Sequence, residues 1–124
     1  MDARHHRFLP SQRIRHSLDF NVAMKQGARL SIGCFLCFYI KNTHDYPRLG
    51  MMIAKKHCKL AVTRNRIKRL IRERFRHNQM QYAGMDVVIL LRASSDKISE
   101  EEQSECLEKL FSQLVARCGG SALA

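Results

Sequence analysis

The segment running from Ala61 to Arg76, AVTRNRIKRLIRERFR, sorts its apolar and charged residues cleanly only when wound as a helix. At 3.6 residues per turn Ile67, Leu70, Ile71 and Phe75 gather on one side, while Asn65, Arg66, Lys68, Arg69, Arg72 and Arg76 fall on the other. One side can dock on a core, and the opposite side is left free to meet a partner. From Lys55 to Arg76 ten Lys and Arg residues face a single acid, Glu73, in a chain whose formal net charge is +11. Most of the positive charge is therefore local. Charge concentrated in this way raises both affinity and on-rate for a polyanion. A helical face that is merely solvated is normally laced with Glu–Lys pairs four residues apart, and this one lacks the acids to make them.

The chain has 124 residues, of which 45% are apolar, enough for one domain with one core and no room for a second. A sequence pI near 10.0 suits a nucleic-acid binder and would also favour an anionic membrane. No apolar run approaches the roughly 20 residues of a spanning helix. The opening MDARHHRFLP has no apolar signal-peptide core, so a cytoplasmic protein with no membrane contact is expected. Five cysteines, an odd number without an export signal, argue for reduced thiols. Cys34 and Cys37 have the spacing of a redox or zinc pair. They are expected not to act as one, because in a strand residues an odd number apart point to opposite faces. Cys58, Cys106 and Cys118 supply no second pair, so no protein-held metal is expected.

Residues 1–15 form a basic stretch with few apolar anchors, expected to be an arm that orders on contact, with His5, His6 and His16 belonging to it. Ser17 is a candidate N-cap, Asp19 suits the first turn of a helix over 18–26, and Gly27 supplies its stop. Strands are expected at 28–30, 35–41 and 48–54, followed by the basic crossover and helix. Gly84 and then the near-continuous apolar run Asp86 to Leu91 complete the central region. Ser99 with Glu102 forms a capping box that opens an amphipathic acidic helix, read as scaffold on the back of the sheet. Residues 118–124 are expected to be a frayed tail, leaving 16–117 as the globular part.

The order α-β-β-β-α-β-α predicts an α+β two-layer sandwich with helices on a small four-stranded mixed sheet. The two strands flanking the basic helix should pair in parallel if they are neighbours. In the second strand Phe35, Cys37 and Tyr39 face one side and Leu36, Phe38 and Ile40 the other, and both faces are apolar. Either both are covered, or one is an open groove for a partner with flat rings.

The blocks Lys55-Lys56, Ala61 to Glu73 with its Arg64-Asn65-Arg66, Ser17-Leu18-Asp19-Phe20 with Gly27, Arg48-Leu49-Gly50 and Gly84 to Val88 together resemble the signature of the protein subunit of bacterial ribonuclease P. The resemblance runs over about residues 8–115. It implies membership of an endoribonuclease whose catalytic element is RNA, which removes the 5' leader of precursor tRNA with magnesium ions held by that RNA. It also implies a left-handed crossover around the middle helix, against the usual hand of such units. The partners so implied are the catalytic RNA and precursor tRNA, with no obligate protein partner.

By the same resemblance Lys55, Lys56, Lys59, Arg64, Asn65, Arg66, Lys68, Arg69 and Arg72 would grip the catalytic RNA. Phe20, Met24, Leu36 and Phe38 would line a cleft for the single-stranded leader, though they could equally be ordinary core. Met24 stands where an aromatic is usual, and Cys58 where glycine is common, which puts the shape of that turn in question. The residues alone agree that the protein binds rather than cuts. Metal-assisted cleavage needs converging carboxylates, and the basic segment holds one acid. A ribosomal or ribosome-assembly protein and a DNA binder reading the major groove are the rival readings.

Overall fold

The computed structural model describes residues 8–92 and 98–123, with side chains in the last helix as far as 118. The elements are α1 (Ser17–Gln26), β1 (Ala28–Ile32), β2 (Phe35–Lys41), β3 (Arg48–Met52), α2 (Ala61–His77), β4 (Met85–Leu91) and α3 (Glu100–Leu123). Short 3-10 turns lie at Pro10–Gln12 and Gln79–Tyr82. The strands form one sheet in the order β1-β2-β4-β3. The β1–β2 and β2–β4 pairs are antiparallel and β3–β4 is parallel, so the expected mixed α+β architecture is present.

Strand β4 reads as unbroken apolar sequence because it is interior and covered on both faces. Val87 and Ile89 face one core, and Val88 faces a second, smaller one on the other side. The main core joins Phe35, Cys37 and Leu49 of the sheet to Ile67, Ile71 and Phe75 of α2 and to Leu107, Leu110, Phe111 and Leu114 of α3. Helices α2 and α3 thus make the helical layer. On the opposite face Ile14 and Val88 are buried with Ala23 of α1, while Phe20, Phe38, Ile40 and Leu90 are only half-buried. Of the two alternatives for β2, the second face is therefore partly open.

Several local expectations need correction. Helix α1 begins at Ser17 with His16 as its N-cap, and Ser17 makes no capping bond. Gly27 does end α1 as expected, with φ −77°, outside the left-handed region. It is there for closeness, since a Cβ would stand 2.8 Å from the Tyr39 carbonyl oxygen. Helix α3 continues to Leu123 where a frayed tail was expected. Its predicted cap is present, Ser99 Oγ accepting the Glu102 N–H at 3.1 Å.

The expected arm is docked over 8–15, while its residues before Phe8, His5 and His6 among them, lie outside the described residues. The buried Gln12 side chain donates to Gln79 Oε1 (2.6 Å) and to the Pro47 carbonyl (3.3 Å), and Ile14 N–H donates to the Leu49 carbonyl (2.9 Å). Sequence reading missed this because a glutamine scores as surface unless its buried partners are known. Cys34 lies before β2 rather than in it, so Cys34 and Cys37 share one core instead of pointing apart. Burial pushes their thiols up to about 11 and about 12, which keeps them protonated. At the turn after β3, Cys58 is fully buried and its N–H reaches the Ala54 and Lys55 carbonyls. Among the described residues no side-chain-bearing residue has positive φ, so this turn does not need glycine.

Candidate nucleic-acid interface

The cations of α2 are fixed by what lies beneath them. Ile67, Ile71 and Phe75 are fully buried, the Tyr82 hydroxyl donates to the Phe75 carbonyl, and the Phe8 ring meets that of Phe75 edge-on at 5.6 Å. With its apolar stripe held at several points the helix cannot roll, and the polar side has a set direction.

The nine predicted cationic-face residues divide into two groups. Arg64 turns back to donate to the Cys58 and Lys59 carbonyls, both at 2.9 Å, clamping the preceding turn to the start of α2. That clamp carries exposed Lys55, Lys56 and Lys59 beside the helix. Arg66 is engaged by α3, pairing with Glu100 and donating to Gln103 Oε1 at 2.8 Å. Outside the nine, Arg74 reaches Ser104, and Arg76 pairs with Glu73. Asn65, Lys68, Arg69 and Arg72 have neither an acidic nor a hydrogen-bonding partner among the described residues. Burial, then the nearby charges of Arg13 and Arg69, lower the Arg72 pKa from its ordinary value, the mark of like charges gathered without an acid between them.

Phe20 lies with its ring against the backbone of Gly50, where an added Cβ would come within 2.7 Å of the ring. This close approach explains the glycine, and it sets the ring over the edge of the sheet. Met24, one turn further along α1, is half-buried. Leu36 and Phe38 stand in β2 opposite Leu90 and Val88, with Met52 of β3 beyond them in the same register. Leu36, Phe38 and Leu90 are half-buried and Met52 is 43% exposed. The predicted cleft residues thus share one side of the sheet with α1. Sequence reading missed Leu90 and Met52, which the two-residue alternation of β3 and β4 would have revealed once the strand order was known.

One buried acid holds α1 to this face. Asp86 of β4 accepts from Arg48 Nε (2.8 Å) and Nη2 (2.6 Å) and from Asn42 Nδ2 (2.9 Å), and Arg48 Nη1 lies 3.6 Å from Asp19 of α1. The hydrogen bonds to Asp86 raise the Arg48 pKa despite the opposing effect of burial. Asp19, Glu73 and Asp86 are thus each engaged by arginine. Among the described residues no three His, Cys, Asp or Glu side chains converge. The acids beside the basic surface do not fit a magnesium ion, which prefers several free oxygen ligands.

Fold and surface together define a small basic α+β protein with a cationic helix beside a half-open apolar sheet face. The model of the ribonuclease P family matches residues 8–115. The ribonuclease P protein component of Nitrosococcus oceani is 41% identical over 83% of this chain and 87% of its own length. That of Pseudomonas aeruginosa is 48% identical over 60% of this chain, a segment spanning only 56% of the relative. Among solved structures, the Staphylococcus aureus RNase P protein superposes with TM-score 0.74 at 28% identity, covering 83% of this chain and 94% of that one. The protein from Thermotoga maritima gives 0.64 at 32% identity, covering 86% and 94%. The chain belongs to the bacterial ribonuclease P protein subunit family, components of an endoribonuclease complex with a role in tRNA processing. No helix among the described residues is long and apolar enough to cross a membrane.

Proposed function

We propose that this chain binds the catalytic RNA of ribonuclease P through its α2 surface and holds the 5' leader of precursor tRNA in the groove between α1 and the sheet. The observation that carries the reading is adjacency. Cations without acidic partners, Lys68 and Arg72, border the same cavity as Phe20, the first residue of the apolar groove. Lys55, Lys56, Lys59, Asn65 and Arg69 extend the polyanion-binding surface, with Arg64 and Arg66 bracing it from the turn and from α3. Phe20, Phe38, Leu36 and Met24 offer flat or soft apolar contacts to unpaired bases. Magnesium would be held by the RNA rather than by this chain, and would supply charge stabilisation for phosphodiester hydrolysis. The protein residues bind and orient the substrate. Its localisation on this reading is cytoplasmic.

Incubating precursor tRNA and magnesium with the protein, with the catalytic RNA, and with both at low salt tests the reading. Leader removal restored only by the pair is the expected result, and cleavage indifferent to the protein would refute it. Arg69→Ala, at an exposed position, is expected to change stability by no more than about 0.5 kcal/mol. It should flatten the salt dependence of assembly with the catalytic RNA by about 0.7 to 0.9 in slope. Arg66→Ala should in addition lower stability, because it unties α2 from α3. An Arg66 variant as stable as the parent by urea titration would contradict that bracing role.

A further inference from the structure

Arg13 belongs to the N-terminal segment, yet the fold delivers it to the boundary between the two surfaces. A cavity of about 200 Å³ is lined by Arg13, Lys68 and Arg72 together with Ile14, Phe20 and Gly50. Two elements therefore bring three cations to one opening: the docked segment contributes one, and α2 two from successive turns. None of the three has an acidic partner among the described residues.

Arg13 is also held in place. Its backbone bridges to Leu49 alongside β3, the buried Gln12 before it is tied to Gln79 and Pro47, and its guanidinium carbon stands 5.6 Å from the centre of the Phe8 ring. A flexible arginine loses side-chain entropy when it grips a ligand, and here much of that ordering is already in place. The charge is costly as it stands, because Arg72 is half-buried with Arg13 nearby. Like charges gathered around an opening are relieved by an anion that enters it.

We propose that Arg13, Lys68 and Arg72 form a phosphodiester subsite for the single-stranded leader, gripping one backbone phosphate while Phe20 contacts the sugar or base beside it. This rests on the reading of the groove given above, and it moves Lys68 and Arg72 from the catalytic-RNA surface to the leader path. The occupant follows from continuity. The cavity shares Phe20 with the groove, so a strand lying against Phe38 and Leu36 and leaving past Phe20 brings its backbone to these cations. A duplex is too wide to follow the ring of Phe20 into an opening of this size.

The test uses the full chain assembled with the catalytic RNA. Arg13→Gln is expected to weaken precursor tRNA about tenfold and to lower the salt slope of precursor binding by about 0.7, the value for one single-strand phosphate. Mature tRNA binding and assembly with the catalytic RNA should not change. Arg13→Lys should recover the slope, which separates lost charge from a disturbed fold. Precursors carrying one neutral methylphosphonate at each leader linkage in turn should reveal a single linkage at which the Arg13→Gln penalty vanishes. Equal losses for mature and precursor tRNA, a loss in assembly instead, or no coupled linkage would each overturn the subsite. Should the unaltered protein fail to restore leader removal, it is the proposed function that falls, a result distinct from these.

Discussion

Asp86→Ala is expected to lower stability by about 3 to 5 kcal/mol, the usual cost of removing one partner from a buried, hydrogen-bonded ion pair. Asp86 is 5% exposed and accepts three hydrogen bonds, two from Arg48 and one from Asn42. Without it, a largely covered guanidinium keeps its charge with only the more distant Asp19 to offset it, and the Asn42 amide loses an acceptor. The loss is also geometric, since Arg48 is the link between β4 and α1. Asp86→Asn retains an acceptor for one of these donors and should fall between the parent and the alanine variant. Urea titration of the free protein measures both. A cost below about 1 kcal/mol for the alanine variant would mean that Arg48 is solvated rather than held. Because a partner that binds only the folded state stabilises it by mass action, saturating catalytic RNA should mask part of the defect. Measurements with and without that RNA separate the fold defect from any defect at the groove.

Phe38→Ala, in the assembled enzyme, should weaken precursor tRNA by about 1 to 3 kcal/mol, the range for one base stacked on an aromatic ring, while sparing mature tRNA. Phe38 is half-buried and packs beside Val88, so part of the effect will register as lost stability of the free protein. That part should stay below the roughly 3 to 5 kcal/mol of a fully buried phenylalanine. Phe38→Leu keeps apolar bulk but removes the flat ring. If stacking is what the groove supplies, the leucine variant should be nearly as stable as the parent and still bind precursor poorly. Equal weakening of precursor and mature tRNA would place Phe38 in the scaffold and not in the groove.

Much of the fold could be read from the chain because its strongest signals are local. The stripe of Ile67, Ile71 and Phe75, the alternation in β2, the continuous apolar run of β4 and the cap at Ser99 each depend on nearby residues, and each stands as expected. Departures occur where a distant partner decides. Gln12 is buried only because Gln79 and Pro47 wait for it, and although Gly27 stops α1 as expected, the nearby carbonyl of Tyr39 that excludes a side chain there was not visible in the sequence. The same distinction runs through the candidate site. Periodicity gave α2 its cationic face, but it could not tell Lys68, Arg69 and Arg72 from Arg64 and Arg66, whose side chains are engaged by a neighbouring turn and by α3. Nor could it bring Arg13 to Lys68 and Arg72, across more than fifty residues of chain.

Strand β4 sits between β2 and β3 yet is the last of the four to be synthesised. While the chain is still emerging from the ribosome, β3 has no neighbour in its own sheet and α2 has no completed layer to rest upon. Pairing across such a sequence distance is slow to close, and unpaired strand edges invite association with other chains in the meantime. A nascent polypeptide of this topology therefore carries its most cationic segment before it has a finished body, and shielding that segment during translation becomes a matter of timing set by the strand order.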